Sequence, residues 1–127
     1  MIEGGNKSKG VEGLEVFNKG HHLVLEVYRV TMKFPPGERF GLVPQMRRAV
    51  VSIPANLIEG SERVGRLEYR RFVSIAKGSS GELRYYFLLA KDLGYISPHE
   101  YSRFRREIEE IGKMLSGLVK ALSTAKA

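Results

Sequence analysis

Four separate stretches of this chain place apolar or small residues at alternating steps of three and four. That spacing admits a helical fold and little else. In the first stretch Phe17, Gly20, Val24, Val27, Thr31 and Phe34 fall in line, and Pro35-Pro36-Gly37 closes it. The second carries Val43, Met46, Val50, Ile53 and Leu57, with Pro44 suited to a first turn and Gly60 to a C-cap. The third carries Tyr69, Phe72, Ala76, Ser79, Leu83, Tyr86, Ala90 and Leu93, and Gly94 ends it. The fourth runs Tyr101, Phe104, Ile108, Ile111, Leu115, Leu118 and Leu122. Its start reads as a capping box, with Ser97 as the cap, Pro98 in the first helical position and Glu100 reaching back. No segment alternates with period two, so no strand is expected. Short links between long helices predict an all-α, antiparallel up-down-up-down four-helix bundle over residues 14–123. Four glycines among the first thirteen residues predict a flexible tail at 1–13, and a second short tail is expected at 124–127.

Composition narrows the partners. A chain of 127 residues makes one domain with room for a core. No apolar run approaches the roughly 20 residues needed to span a bilayer. The first residues lack the apolar region of a secretory signal. With no cysteine there is neither a disulfide nor a thiolate metal site, and a cytoplasmic setting is expected. The formal net charge of +7 points to a polyanionic partner such as nucleic acid.

The third helix offers two surfaces. Tyr85-Tyr86-Phe87-Leu88-Leu89-Ala90 is an unbroken run that, at 100° per residue, faces every direction. One bundle core cannot use all of it, so Tyr85, Leu88 and Leu89 are candidates for a subunit interface. Gly78-Ser79-Ser80-Gly81 costs helix stability, roughly 1 kcal/mol per glycine against alanine, and predicts close approach by another group, with a local kink as the alternative. Arg70, Lys77, Arg84 and Lys91 recur every seven residues, a row of about 32 Å at 1.5 Å per residue. Arg63, Arg66 and Arg71 add charge near the helix start. Phosphates on duplex or folded RNA can meet such a row, each contact releasing a counterion, although a solvated face has the same pattern. Arg103, Arg105 and Arg106 are followed at once by Glu107, Glu109 and Glu110, which reads as a surface ion-pair face.

On the second helix Gln45, Arg48, Ser52, Asn56 and Glu59 form one polar stripe beside the paired Arg47 and Arg48. Pro54 removes the donor to the Val50 carbonyl and predicts a bend there. Two readings stay open: Ser52 or Asn56 satisfies the freed carbonyl, or the bend presents Arg47, Arg48, Asn56 and Glu59 to a partner.

Enzyme chemistry finds no footing. His21 and His22 diverge by about 100° on a helix, so they do not chelate one metal together. No glycine-rich phosphate loop, HExxH or GxSxG occurs. Glu59 and Glu82 have no nucleophile beside them in any motif. The chain is expected to be non-catalytic, without metal or cofactor.

The block Gln45-Met46-Arg47-Arg48-Ala49-Val50-Val51-Ser52-Ile53-Pro54-Ala55-Asn56, then Glu59-Gly60, carries a resemblance. Leu14-Glu15-Val16-Phe17, Glu38-Arg39-Phe40-Gly41-Leu42, Ile75-Ala76-Lys77-Gly78-Ser79, Glu82-Leu83 and Leu93-Gly94-Tyr95-Ile96 extend it. The chain resembles the intervening-sequence proteins encoded within bacterial 23S ribosomal RNA genes, which are related to accessory proteins of diversity-generating retroelements. The resemblance implies a ring, a homopentamer, and for the retroelement relatives a reverse transcriptase and its RNA as partners. It equally admits a protein–protein scaffold, or a passenger of the intervening sequence with no essential activity. Phe17 stands where tryptophan is common in the family. Arg84-Tyr85-Tyr86-Phe87 replaces a more polar stretch.

Overall fold

The structure is a computed structural model, and it describes residues 10–124. Four helices make up nearly all of it: α1 (Glu15–Thr31), α2 (Leu42–Ser61), α3 (Arg66–Asp92) and α4 (Pro98–Thr124). Short 3-10 turns at Val11–Gly13 and Pro36–Glu38 complete the described elements, and no strand occurs among the described residues. Each helix packs on the next, and α4 returns to touch α1, which closes a four-helix bundle.

The ends follow from local chemistry. The Glu100 amide donates to Ser97 Oγ, and the Ser97 amide donates to Glu100 Oε1, each at 3.0 Å, so the expected capping box is formed. At the end of α3 the Gly94 amide donates to the Lys91 carbonyl and the Tyr95 amide to the Ala90 carbonyl, both at 2.9 Å. This double bond needs a residue with positive φ at its corner, and Gly94 supplies φ 83°. Gly60 behaves differently from expectation. It lies inside α2, which continues to Ser61, and a Cβ there would sit 2.7 Å from Phe72 Cβ. Gly60 is therefore a point of close approach between α2 and α3. Gly20 plays the same part between α1 and α2, where its Cβ would lie 3.2 Å from Ile53 Cγ2.

Met46, Val50, Ile53 and Leu57 of α2 are fully buried, as their spacing predicts, and Phe104, Ile108, Ile111 and Leu115 of α4 are nearly so. The buried rows of α1 and α3 are broader than one seam. In α1, Val16, Leu23 and Val30 go inward, while Phe17 and Val24 are half-buried against the same core. In α3, Val73 and Phe87 are fully buried, whereas Leu93, expected on the same seam, lies just past the helix end and is 50% exposed. The reason is that α3 packs on both α2 and α4, so its inner arc is wide enough for two rows. Phe87 stacks on Phe104 across α3–α4 with ring centroids 4.3 Å apart, an arrangement worth about 1 kcal/mol beyond the area buried.

The chain is tied to the bundle before residue 14. Val11 is buried, and Asn18 Nδ2 donates to the Glu12 carbonyl at 3.1 Å, so residues 10–13 are part of the folded unit. The rest of the expected N-terminal tail, residues 1–9, and residues 125–127 lie outside the described residues. Thr124 ends α4 rather than opening a tail.

Candidate nucleic-acid interface

Because the α3 cations recur every seven residues, they hold one side of the helix along its whole length, and that side borders α4. At one end Arg66 Nε donates to the Leu122 carbonyl at 2.9 Å and Arg70 Nη1 to Ser123 Oγ at 3.1 Å. These two arginines sit at the carboxyl end of α4, where a cation offsets the helix dipole. At the other end the Lys91 ammonium lies 4.8 Å from the centre of the Tyr101 ring and 3.6 Å from Asp92 Oδ1.

Between them Lys77 and Arg84 wall an open cleft of about 500 Å³ between α3 and α4. Lys113 of α4 lines the same cleft, as do Gly81 and Gly112. Neither Lys77, Arg84 nor Lys113 forms an ion pair within 4 Å among the described residues. Glu109 also lines the cleft, but Arg105 Nε holds its Oε2 at 2.8 Å. That hydrogen bond, then the Arg105 charge and those of Arg84 and Lys113, keeps the Glu109 carboxyl below the usual carboxylate range. Lys113 was not among the residues expected here. The signal was available: Arg106, Lys113 and Lys120 recur every seven residues on α4, as the α3 row does on its own helix.

The serine–glycine segment works by a different division than expected. Cβ atoms added at Gly78 and Gly81 would meet nothing within 4 Å, so neither glycine makes room for a group of this chain. The close contacts belong to the buried serines. Ser79 Oγ is 2.7 Å from Ser52 Oγ of α2, and a Cβ at Gly112 would lie 3.7 Å from Ser80 Oγ.

Arg63 and Arg71 stand apart from the row. Arg63 pairs with Glu59 at 2.6 Å and Arg71 with Glu68 at 3.5 Å, and both guanidiniums lie within 5 Å of the Phe72 ring centre. The α2 stripe likewise disperses. Asn56 Nδ2 donates to the carbonyl and the hydroxyl of Ser52, at 2.8 Å each, and not to the carbonyl freed by Pro54. Arg47 Nε donates to Thr31 Oγ1 at 3.0 Å and its Nη2 to the Tyr28 carbonyl at 3.2 Å, which closes the carboxyl end of α1. Arg48 remains exposed, without an ion pair among the described residues. Of the three apolar interface candidates, Leu88 is half-buried, Leu89 packs against the core, and Tyr85 is 58% exposed. The ion-pair face of α4 forms as expected through Arg103–Glu107 at 3.0 Å and Arg105–Glu109 at 2.8 Å.

A four-helix, all-α domain with a cationic inter-helix seam is the class that fold and surface define. The chain belongs to the family of 23S rRNA-intervening sequence proteins, whose profile matches residues 12–117. Among solved structures it is similar to a crystal structure of a protein of unknown function from the S23 ribosomal protein family of Bacteroides thetaiotaomicron. The two share 23% identity and a TM-score of 0.75, over 83% of this chain and 98% of that one. That likeness establishes the fold. No curated protein matches the chain. Among the described residues, no helix is long and apolar enough to cross a membrane.

Proposed function

We propose that this protein is a non-catalytic, cytoplasmic nucleic-acid-binding bundle that meets RNA phosphates along the α3–α4 seam. The observation that carries the reading is the convergence of Lys77, Arg84 and Lys113 on one open cleft, none of them ion-paired among the described residues. Cations that hold no ion pair attract a polyanion, offset only in part by the Glu109 charge on the same cleft, and each phosphate they meet releases counterions. Arg66, Arg70 and Lys91 extend the same row to both ends of the seam. Gly81 and Gly112 leave the cleft open enough for a strand to lie close to the backbone.

The bundle is antiparallel and up-down-up-down in this reading. Contacts support it by pairing rising with falling residue numbers: Gly20 with Ile53 and Thr31 with Arg47, then Ser52 with Ser79 and Gly60 with Phe72. Self-association as a pentamer rests on the family resemblance. It is supported by exposed apolar side chains: Met32 at 75% just after α1, Val64 at 94% between α2 and α3, and Leu67 at 63% in the first turn of α3. A reverse transcriptase as protein partner rests on the resemblance alone.

The test is a filter-binding titration of a hairpin RNA at several salt concentrations, using Lys77→Glu with Arg84→Glu. Affinity should fall more than tenfold, with helicity by circular dichroism unchanged. Loss of two phosphate contacts should also flatten the log–log salt slope by about 1.8 on duplex. Unchanged affinity and slope would remove the seam from the reading. Native mass measured with and without the RNA gives the number of copies.

A further inference from the structure

A second group of cations lies away from the α3–α4 seam, where the end of α1 meets the start of α2. Arg39, Arg47 and Arg48 line an open cleft of about 400 Å³ together with Tyr28, Val43 and Val51. No carboxylate lines it. The carboxylate nearest in sequence, Glu38, is already engaged by the Tyr95 hydroxyl at 2.7 Å and the Leu42 amide at 2.9 Å. Three arginines therefore line one open, shallow surface with no compensating charge in its lining.

Their roles differ. Arg47 is held rigidly, through Thr31 Oγ1, the Tyr28 carbonyl and a ring contact of 4.4 Å to Tyr28. It supplies a fixed positive wall, ordered before any ligand arrives. Arg48 is exposed and makes no ion pair among the described residues. Arg39 lies 5.5 Å from the centre of the Phe40 ring, and that ring is 89% exposed. A large aromatic ring so open to water, beside Arg39 and just outside the lining of the cleft, offers with these arginines the pairing that nucleotides use: guanidinium charge for the phosphate, a flat apolar face for the base.

We propose that this cleft binds the phosphomonoester of a nucleotide, its phosphate between Arg39, Arg47 and Arg48 and its base against Phe40. A dianionic terminal phosphate suits three uncompensated cations better than the single charge of a diester. The volume falls in the range that holds a ligand of nucleotide size. The same chemistry is offered by a free nucleotide and by the 5′ end of a strand.

Titration of the full chain with 5′-UMP and with uridine, followed by the backbone amides in NMR, tests the site. UMP should shift resonances of residues 39–51 and uridine should not. Arg39→Gln with Arg48→Gln should weaken UMP at least tenfold, and the side chains of this pair hydrogen-bond no group of the fold among the described residues. Phe40→Ala should weaken it less. Lys77→Glu with Arg84→Glu should bind UMP as the wild type does, so failure of the seam and failure of this cleft read separately. On that background a 5′-phosphorylated octauridylate that binds tenfold better than its 5′-hydroxyl form identifies a strand end as the source. Equal binding of the two octamers, with UMP still bound, identifies the free nucleotide. Uridine acting like UMP, or an unaffected Arg39→Gln/Arg48→Gln variant, overturns the proposal.

Discussion

The Tyr95 hydroxyl donates to Glu38 Oε2 at 2.7 Å, and the other oxygen of that carboxylate accepts the Leu42 amide at 2.9 Å. One side chain thus caps α2 and fastens the α3–α4 connection to it, with Phe34 packed on the Tyr95 ring at 5.2 Å. The Tyr95 hydrogen bond, followed by that of Leu42, holds the Glu38 carboxyl below its ordinary range. A lowered value means that the folded state favours the ionised form. Its contribution is present above the ordinary carboxylate range and is lost as pH falls through the lowered value. Glu38→Gln should therefore flatten the acid limb of a thermal-stability profile while keeping an acceptor for Leu42. An acid limb as steep as that of the wild type would show that this carboxylate is not the group responsible.

Gly60 and Gly78 are both mid-helix glycines, yet they should respond in opposite directions to alanine. At Gly60 the new methyl would meet Phe72 Cβ at 2.7 Å and Tyr69 Cδ1 at 3.0 Å, so α2 and α3 must separate. Overpacking of this kind costs about 1–3 kcal/mol. At Gly78 nothing lies within 4 Å, and alanine gains about 0.5–1 kcal/mol by restricting the unfolded chain. Chemical denaturation of Gly60→Ala and Gly78→Ala measures both signs at once.

Glu107 supplies a pH effect of the other sign. Burial, then a hydrogen bond and charge from Glu26, push its carboxyl above the ordinary range, and Arg103 only partly offsets them. The folded state thus penalises the charged form at neutral pH. That penalty is relieved as pH falls toward the raised value. Glu107→Gln should raise the melting midpoint at pH 8 relative to the wild type, and the difference should shrink toward pH 5. A midpoint lowered at both pH values would mean that the Arg103 contact outweighs the repulsion.

The helices were legible because their spacing records burial directly, and α2 and α4, each with one dominant seam, were read most faithfully. Where one helix faces two neighbours the spacing blurs. Phe87 and Val73 were missed for that reason, and the run Tyr85–Ala90 looked more exposed than it is. The cationic row was legible as arithmetic along α3. Its meeting with Lys113 was not, since that depends on how α3 and α4 are rotated against each other. Arg47 is the converse case. Its motif left open whether it is presented to a partner, and Thr31 and the Tyr28 carbonyl, sixteen and nineteen residues away in sequence, hold it in place. No local pattern encodes such a partner. The Arg39–Arg48 cleft likewise appears only when the turn after α1 folds back on α2.

Gly81 joins the stability of α3 to its proposed binding role. It lines the cleft of Lys77, Arg84 and Lys113, and a Cβ added there would touch nothing of this chain. Alanine at 81 should therefore stabilise the fold by about 0.5–1 kcal/mol, as at Gly78. If RNA approaches the backbone at this point, the same methyl narrows the cleft. Affinity should then fall for Gly81→Ala and fall further for Gly81→Leu, although both variants keep every cation. Gly78→Ala, outside the cleft lining, should leave affinity unchanged and serves as the control. A stabilised Gly81→Leu variant that binds hairpin RNA as tightly as the wild type would mean that the strand does not descend between α3 and α4. The cations would then act from the rim, and the salt slope would survive the substitution.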